Sequence, residues 1–233
     1  MGNGLRASNL ILGYCLASGI QSVLNIEELS LAAGSAFGIT GPSGAGKTSL
    51  LYVLAGLERP QYGTVRWGET EIGRLSEAER DRWRRTNVGM VFQDFHLLPG
   101  MTIMQNVLVA TTFDHMAVSS AMKDRARSLL TQVGLRGDSQ RVETLSRGEM
   151  QRAAVARALL FAPPIVLADE PTASLDHASG ARVTDLLLDL CRETRATLLI
   201  VSHDTAVLRR LDTVHTLVEG RLAAAPQPGL QPC

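Results

Sequence analysis

The chain has 233 residues, and its 23 lysine and arginine residues balance its 23 aspartate and glutamate residues, so the formal net charge is zero. This length suits one large α/β domain or a core with a small inserted subdomain, and the neutral balance gives no indication of a nucleic-acid partner. Three cysteines without metal-ligand spacing favour a reduced cytosolic compartment. No apolar run approaches the roughly 18 residues that span a bilayer, and glycine, tyrosine and serine interrupt residues 10–20, which we interpret as strand and loop rather than a signal peptide.

Short strands and helices are predicted to alternate along most of the chain. The predicted strands are apolar or alternating stretches at residues 24–31, 36–40, 63–67, 88–92, 165–168 and 197–201. The predicted helices run from about 48 to a C-cap near Gly56, from 76 to about 85, through a largely helical stretch from 102 to about 160, and through 183–191. Ser76, Thr102 and Ser146 each stand three residues before a glutamate or glutamine, which predicts capping boxes. The alternation implies a mostly parallel sheet covered on both faces, and the arginine-rich stretch 80–85 is read as a solvated helix face.

A glycine-rich loop lies between the predicted strand 36–40 and the helix that follows it. The loop fits the pattern G-x-x-x-x-G-K-[ST] of a phosphate-binding loop at every fixed position, and with the next residue it comprises Gly41, Pro42, Ser43, Gly44, Ala45, Gly46, Lys47, Thr48 and Ser49. Its backbone N–H groups and the positive end of the helix dipole would bind a phosphate. Lys47 would contact the β- and γ-phosphates, and the Thr48 hydroxyl would coordinate Mg²⁺. A chance glycine turn before a helix is the alternative.

Composition supports the role of this lysine. Only two of the 23 lysine and arginine residues are lysine, and Lys47 is one of them. A compact ammonium fits among phosphates where the planar guanidinium of arginine does not. Coincidence is the alternative explanation.

Two acids, Asp169 and Glu170, follow the all-apolar run at residues 165–168. Ligand sites in open α/β sheets lie outside the carboxyl ends of the strands, so the position suits chemistry. Asp169 is predicted to hold Mg²⁺, and Glu170 is predicted to orient and polarise an attacking water. An acidic pair after a strand is otherwise often a surface loop, but the phosphate loop upstream favours the chemical reading.

Residues 145–152 read L-S-R-G-E-M-Q-R and resemble the pattern L-S-G-G-[QE]-x-Q-R of nucleotide-binding subunits of ATP-binding cassette transporters. The resemblance covers residues from about 9 to 222 and implies one domain, 1–222, with a P-loop NTPase core, a mostly parallel sheet, a small antiparallel β-subdomain and an α-helical subdomain inserted at about 94–160. It implies that Ser146 and Gly148, with Glu149 beside them, bind ATP held by a second, identical subunit. Arg147 stands where glycine is usual; we prefer a tolerated side chain that points to solvent over an added phosphate contact.

Further positions match the family in order and spacing. Gln93 resembles the glutamine that touches Mg²⁺ and water and senses the membrane partner, and Asp176 resembles the aspartate of the loop that communicates across the dimer. His203 resembles the histidine that contacts the γ-phosphate, and together with Glu170 and Gln93 it makes up the predicted catalytic set. Tyr14 lies where the family has an aromatic ring that stacks on adenine. An ordinary strand-end histidine and a strand-face tyrosine are the alternatives.

A finer likeness, within residues 75–107, is to the lipoprotein-release, macrolide-export and cell-division branch. It implies an ATPase with ATP and Mg²⁺ as cofactors, which lies on the cytoplasmic face of the inner or plasma membrane and pairs with a second copy around two ATP molecules. An integral membrane permease would dock near residues 93–105 and export or extrude a lipoprotein or lipophile. A signalling ATPase that regulates a cell-wall hydrolase through a membrane partner is the alternative. A cassette protein acting on DNA or ribosomes, or a small-molecule kinase, fits less well, and the cargo is not readable. The tail 223–233 is expected to be unstructured.

Overall fold

The computed structural model describes residues 3–16, 19–114, 118–135 and 138–223. Its strands, in chain order, are β1 (Leu5–Leu16), β2 (Gly19–Leu31), β3 (Ala36–Thr40), β4 (Tyr62–Trp67), β5 (Thr70–Glu71), β6 (Val88–Val91), β7 (Ile165–Asp169), β8 (Thr197–Val201), β9 (Thr213–Val218) and β10 (Arg221–Ala223). Its α-helices are α1 (Lys47–Leu54), α2 (Glu77–Asn87), α3 (Ile103–Leu108), α4 (Ser120–Gln132), α5 (Arg147–Ala158), α6 (His177–Thr194) and α7 (Thr205–Leu208).

The strands form two sheets. An antiparallel sheet has the order β2-β1-β4-β5, and a six-stranded sheet has the order β10-β9-β3-β8-β7-β6. Within the second sheet β9, β3, β8, β7 and β6 are parallel, and β10 pairs with β9 as an antiparallel edge. The predicted α/β class, with a mostly parallel core sheet and a small antiparallel sheet, is confirmed.

The antiparallel sheet packs on α1. Leu10 of β1 pairs with Ile26 of β2, and both side chains belong to the same buried cluster as Leu50 of α1. Trp67 of β4 donates its indole N–H to the carbonyl of Leu54 at 2.9 Å, so a buried polar group is satisfied where the sheet meets the end of the helix. These contacts fix the end of β1 beside the helix that begins at the glycine-rich loop.

The middle of the parallel sheet is fully buried. Every residue of β7 and of β8 is buried, as expected for strands covered on both faces, and their apolar runs made both strands predictable. Because β3, β8 and β7 are parallel neighbours, their carboxyl ends meet at one edge of the sheet. The glycine-rich loop follows β3, the acidic pair ends β7, and His203 follows β8.

Helices α3, α4 and α5 pack on one another and α5 contacts β6. Asn106 of α3 is buried, and its amide fixes the preceding turn by accepting from the Leu98 N–H at 2.6 Å and donating to the Leu98 carbonyl at 3.1 Å. The capping boxes predicted at Ser76, Thr102 and Ser146 are all present, which explains where α2, α3 and α5 begin.

Some elements were not predicted. The first two strands form a longer hairpin than the short pieces expected, because a register shift between Leu12 and Gly13 interrupts their alternation. Strands β5, β9 and β10 were missed: β5 and β10 have two and three residues, and β9 is mostly half-buried. In the described residues no helix is long and apolar enough to cross a membrane. The predicted tail lies outside the described residues beyond Ala223.

Candidate active site

Three positions of the glycine-rich loop, Gly41, Gly44 and Gly46, have a positive φ, and at two of them the backbone of another strand also lies too close for a side chain. Gly41 and Gly46 have φ angles of 147° and 97°, and a Cβ there would lie 2.0 Å from the Leu217 carbonyl oxygen and 2.6 Å from the Val23 carbonyl oxygen. The loop therefore lies against the backbone of β9 and β2, and Gly46 directly precedes α1. The first N–H groups of a helix have no partner within it, so those of α1 are available to an anion beside the loop.

Lys47 folds back over this loop. Its ammonium donates hydrogen bonds of 2.9 Å to the carbonyl oxygens of Gly41 and Pro42. A lysine ammonium has three donors, so one remains for an anion that enters the loop. The charge is thus already held at the point where the phosphates of a nucleotide would lie.

Asp169, the last residue of β7, is buried with 7% of its surface exposed. Burial raises the pKa of its carboxyl, and the nearby Glu170 adds to this, while a hydrogen bond with Thr48 and the charge of Lys47 act in the opposite direction. A carboxylate and a hydroxyl in contact are the hard oxygen donors that Mg²⁺ prefers, and this ion commonly keeps waters and phosphate oxygens as its other ligands. Thr48 and Asp169 therefore fit a Mg²⁺ that arrives with a nucleotide. No group of three or more acidic, histidine or cysteine side chains suited to a metal exists in the described residues.

Glu170 and His203 are in direct contact. A carboxylate oxygen of Glu170 lies 2.9 Å from His203 Nδ1, and the backbone N–H of His203 approaches the other oxygen at 3.4 Å. An ionised carboxylate only accepts, so Nδ1 carries the hydrogen and Nε2 is left free for another partner. The Glu170 side chain is 13% exposed and that of His203 is 70% exposed, so the carboxylate is mostly buried while the imidazole is accessible to a ligand.

The backbone of Glu170 is itself unusual. Its φ is 44°, in the left-handed region that a non-glycine residue rarely adopts, and its N–H donates to the Val201 carbonyl at 2.9 Å. Such a conformation costs about 1–3 kcal/mol and persists where the surroundings determine it, often at functional sites. The bond to the end of β8 turns the Glu170 carboxylate toward His203.

Tyr14 lies near the carboxyl end of β1 with an exposed ring. Its hydroxyl donates to a Glu58 carboxylate oxygen at 2.6 Å, and this bond is the main reason that its pKa is raised. The Ser49 side chain also hydrogen bonds the phenol. The ring is therefore held beside the helix that begins at the glycine-rich loop, with 43% of the residue accessible.

Ser146 and Glu149 close the N-terminus of α5. The Glu149 carboxylate accepts from the Ser146 N–H at 2.8 Å and from its hydroxyl at 2.7 Å, and these bonds lower the pKa of Glu149. At Gly148 a Cβ would meet nothing nearer than Ser179, at 3.7 Å, so no contact within the described chain requires glycine there. A cavity of about 500 Å³ opens at this helix start, lined by Ser146, Arg147, Gly148, Glu149, Arg152, Ser174, Leu175, Asp176, Ser179 and Arg182.

The remaining predicted residues, Gln93 and Asp176, come after the parallel strands β6 and β7. Gln93 is exposed just after β6, and Asp176 is the N-cap of α6, its carboxylate accepting from the Ser179 N–H at 3.0 Å. The pKa of Asp176 is lowered, mainly by a hydrogen bond from the Ser179 hydroxyl and next by this bond from the Ser179 backbone. In the described part of the chain no hydrogen bond joins residues 146–149 to residues 41–48.

Arg147 does not simply point to solvent, and that expectation was wrong. Its Nε–H donates to the Ser174 carbonyl at 3.1 Å, and its guanidinium carbon lies 5.6 Å from the centroid of the Phe95 ring. Arg147 is the first residue of α5 and does not have a positive φ, so the backbone does not need glycine here. Neither contact was predictable, because the partners are 27 residues ahead and 52 residues behind in the sequence.

Comparison with known proteins agrees with this geometry. The sequence pattern of the family described as ABC transporter matches residues 24–173, more than half of the chain. The chain belongs to the ABC transporter family. As an ABC cassette it binds and hydrolyses ATP as a subunit of a transporter, and the predicted family, fold and enzyme class are confirmed.

Two relatives and a solved structure resemble nearly the whole cassette. The lipoprotein-releasing system ATP-binding protein LolD of Legionella pneumophila (strain Paris) is 38% identical over 221 residues, which cover 94% of this chain and 97% of the relative. LolD of Xanthomonas campestris pv. campestris (strain 8004) is 40% identical over 222 residues, covering 94% of this chain and 91% of the relative. The dimeric post-hydrolysis structure of the ATP-binding cassette MJ0796 bound to ADP and Pi has a TM-score of 0.86 at 33% identity, covering 94% of this chain and 96% of that chain.

Proposed function

We propose that the cassette powers a membrane permease that releases or extrudes a lipoprotein or a similar lipophilic cargo. The observation that carries this proposal is the end-to-end likeness to LolD, at 38% identity across 94% of this chain and 97% of the relative. The cassette itself would lie peripherally on the cytoplasmic face of the membrane. The permease would dock near residues 93–105, where Gln93 and Leu98 are exposed.

The residues at the carboxyl edge of the parallel sheet would carry the hydrolysis. The phosphate loop N–H groups and Lys47 bind the triphosphate, and the exposed ring of Tyr14 stacks on adenine. Thr48, Asp169 and Gln93 would hold a Mg²⁺, whose chemistry there would be to neutralise phosphate charge. Glu170 accepts a hydrogen bond from the water and aligns it for in-line attack on the γ-phosphorus.

His203 completes this arrangement. Its Nδ1–H is committed to Glu170, so its other nitrogen can meet the γ-phosphate and link the phosphate to the acid. Catalysis of phosphoryl transfer rests mainly on such positioning and on charge neutralisation.

A second copy would supply the missing side of each ATP site. Within one copy no described hydrogen bond joins residues 146–149 to the phosphate loop, yet Ser146 opens a capped helix whose N-terminus suits a phosphate. Because Gly148 has no side chain, the phosphate of an ATP bound to another copy could approach its backbone. MJ0796 was solved as a dimer bound to ADP and Pi. These observations support a head-to-tail pair with two ATP molecules between phosphate loops and opposing α5 helices.

The pairing leads to a prediction for the isolated cassette. When hydrolysis is blocked by Glu170→Gln, adding MgATP should convert monomers into dimers of twice the mass, because nucleotide affinity and affinity for the second copy are linked. Light scattering with and without MgATP measures this, with MgADP as the control that should leave monomers. A single mass that ATP does not change, whether monomer or dimer, would contradict the two-sided site.

The role of Asp169 leads to a stability prediction. Because burial raises the pKa of this carboxyl, the folded chain binds its proton more tightly than the unfolded chain does. This tighter proton binding contributes to the free energy of unfolding in full below the unfolded pKa. The contribution is lost as pH rises through the folded pKa. Near neutral pH the ionised carboxylate therefore destabilises the nucleotide-free chain. Asp169→Asn should therefore raise the melting temperature near pH 7, by about 2–4 °C for each kcal/mol recovered. The gain should shrink as pH falls toward about 4, the ordinary pKa of aspartate, because the carboxyl of the unfolded chain then also begins to bind its proton.

Thermal unfolding from pH 4 to 8, with and without MgATP, measures both parts of this prediction. MgATP should stabilise the wild type and have far less effect on Asp169→Asn. Asp189→Asn, on the solvent face of α6, is the matched control and should change neither quantity. A variant that is less stable than wild type at pH 7, or that MgATP stabilises equally, would remove Asp169 from the proposed role.

The permease proposal is tested by affinity purification of the cassette from detergent-solubilised membranes. The expected result is an integral membrane protein that co-purifies and raises ATP turnover, together with loss of lipoprotein release when the cassette is depleted. Recovery of a membrane protein that recruits a cell-wall hydrolase, with lipoprotein release intact, would favour the signalling alternative.

A further inference from the structure

Arg147 joins three segments that the proposed mechanism uses separately. It is the first residue of α5, its Nε–H donates to the Ser174 carbonyl at 3.1 Å, and its guanidinium lies over the Phe95 ring at 5.6 Å. A guanidinium can do both at once because its plane stacks on a ring while its edge donates hydrogen bonds. The side chain that stands in place of the usual glycine is therefore committed within its own chain.

The Phe95 turn is held to α5 at a second point. Phe95 and His96 both have positive φ angles, 58° and 46°, so this turn needs support from its surroundings. Arg157, in the last turn of α5, donates to the Phe95 carbonyl at 2.6 Å and also to the His96 carbonyl. Arg147 therefore contacts the ring of this turn, and Arg157 hydrogen bonds to its backbone. Gln93 lies only two residues before it.

The Ser174 carbonyl belongs to the loop that leaves Glu170. Two backbone bonds fold this loop, from Ala173 N–H to the Glu170 carbonyl at 3.1 Å and from Leu175 N–H to the Thr172 carbonyl at 3.0 Å. Asp176 then caps α6. A hydrogen bond on Ser174 thus acts on a short, structured connection between Glu170 and the start of α6.

We propose that Arg147 is a positioning residue that clamps the Phe95 turn and the 170–176 loop onto the start of α5. This rests on the proposed function, in which Gln93 and Glu170 serve the ATP of their own chain and α5 faces the ATP of the second copy. The clamp makes these elements move as one body, so that closure of α5 on the partner's ATP sets the geometry around the chain's own ATP. Arg147 acts through Phe95 and Ser174 and does not itself contact nucleotide.

The test compares Arg147→Ala, Arg147→Lys, Phe95→Leu and the double variant Arg147→Ala with Phe95→Leu. Alanine is the better truncation because it keeps a good helix former at the first position of α5, whereas glycine would add backbone freedom. Arg147→Ala should lower kcat by about five- to tenfold, because losing the cation–π contact and the hydrogen bond to Ser174 loosens the clamp without removing any group that touches the nucleotide. KM for ATP should stay within about twofold, because the chain's own phosphate loop holds the nucleotide.

Coupling between the partners identifies the clamp. Phe95→Leu should lower kcat in the same way, and the double variant should be no worse than Arg147→Ala, because both changes break one unit. Arg147→Lys should recover only part of the loss, since an ammonium cannot stack and donate to Ser174 together. Phe95→Tyr, which keeps the ring, should match wild type and guards against a folding defect in the leucine variant. Arg192→Ala removes an exposed arginine in the last turn of α6, where it pairs with Asp189 at 3.8 Å, and should leave kcat unchanged.

Three kinetic outcomes would overturn the clamp. These are a wild-type kcat in Arg147→Ala, effects of Arg147→Ala and Phe95→Leu on kcat that multiply, and a wild-type kcat in Arg147→Lys. Multiplying effects would instead suit an arginine that reaches the partner's phosphate. Measuring ATP-dependent dimerisation in the Glu170→Gln background shows whether the clamp alone is wrong or the proposed function is wrong. Absence of any ATP-dependent dimer with intact Arg147 would count against the two-sided site itself. Dimerisation that Arg147→Ala leaves unweakened would count against the clamp alone.

Discussion

Glu170→Gln is expected to lower the turnover number by about 10²-fold or more while ATP affinity stays within a few-fold of wild type. Glutamine keeps the shape of the side chain, but its amide is a far weaker acceptor for a water proton than a carboxylate is. The Glu170 carboxylate is mostly buried and fixed by His203 at 2.9 Å, so no other described acid is placed to replace it there. Steady-state ATPase assays and equilibrium binding of a fluorescent ATP analogue measure the two quantities.

The matched control is Glu193→Gln, near the end of α6 and therefore at the opposite edge of the sheet from His203. This exposed glutamate should be replaceable with no change in turnover. The Glu170 variant should also accumulate as an ATP-bound dimer, because binding continues while hydrolysis stops. Turnover within a few-fold of wild type in Glu170→Gln would exclude the catalytic role proposed for this acid.

The parts of the fold that could be predicted are those whose local pattern and tertiary surroundings agree. The runs 165–168 and 197–201 are apolar throughout because β7 and β8 are buried on both faces, and their strand ends place Asp169 and His203 at one edge of the sheet. The glycine-rich loop was recognisable because each fixed position has a separate physical reason, which Gly41 and Gly46 illustrate through the backbone they lie against.

Contacts between distant segments could not be predicted. Glu170 and His203 are 33 residues apart, and neither their hydrogen bond nor the positive φ of Glu170 has a local sequence signal. The same holds for Arg147, whose partners Ser174 and Phe95 come from two other loops. Strands β9 and β10 depend on pairing with β3 and with each other more than on their own weak alternation.

Lys47→Ala is expected to weaken ATP binding by at least about 10²-fold, because hydrogen bonds to charged groups contribute about 1.5–3 kcal/mol each and every 1.4 kcal/mol is tenfold. Lys47→Arg should bind nearly as poorly. The ammonium lies within 2.9 Å of the Gly41 and Pro42 carbonyl oxygens, inside a loop whose backbone at Gly41 already lies against β9. A planar guanidinium is too large to take that position without displacing the loop.

The chain offers a nearly ideal control for this prediction, since Lys123 is its other lysine and is exposed on α4. Lys123→Ala and Lys123→Arg should bind ATP as wild type does, so any effect of lysine loss belongs to position 47. Thermal unfolding without nucleotide should show all four variants folded, because the hydrogen bonds of Lys47 within the described residues go to two carbonyls of its own loop. Normal ATP affinity in Lys47→Arg would mean that charge alone suffices at this position. The retention of lysine in an arginine-rich chain would then have no explanation in the shape of the site.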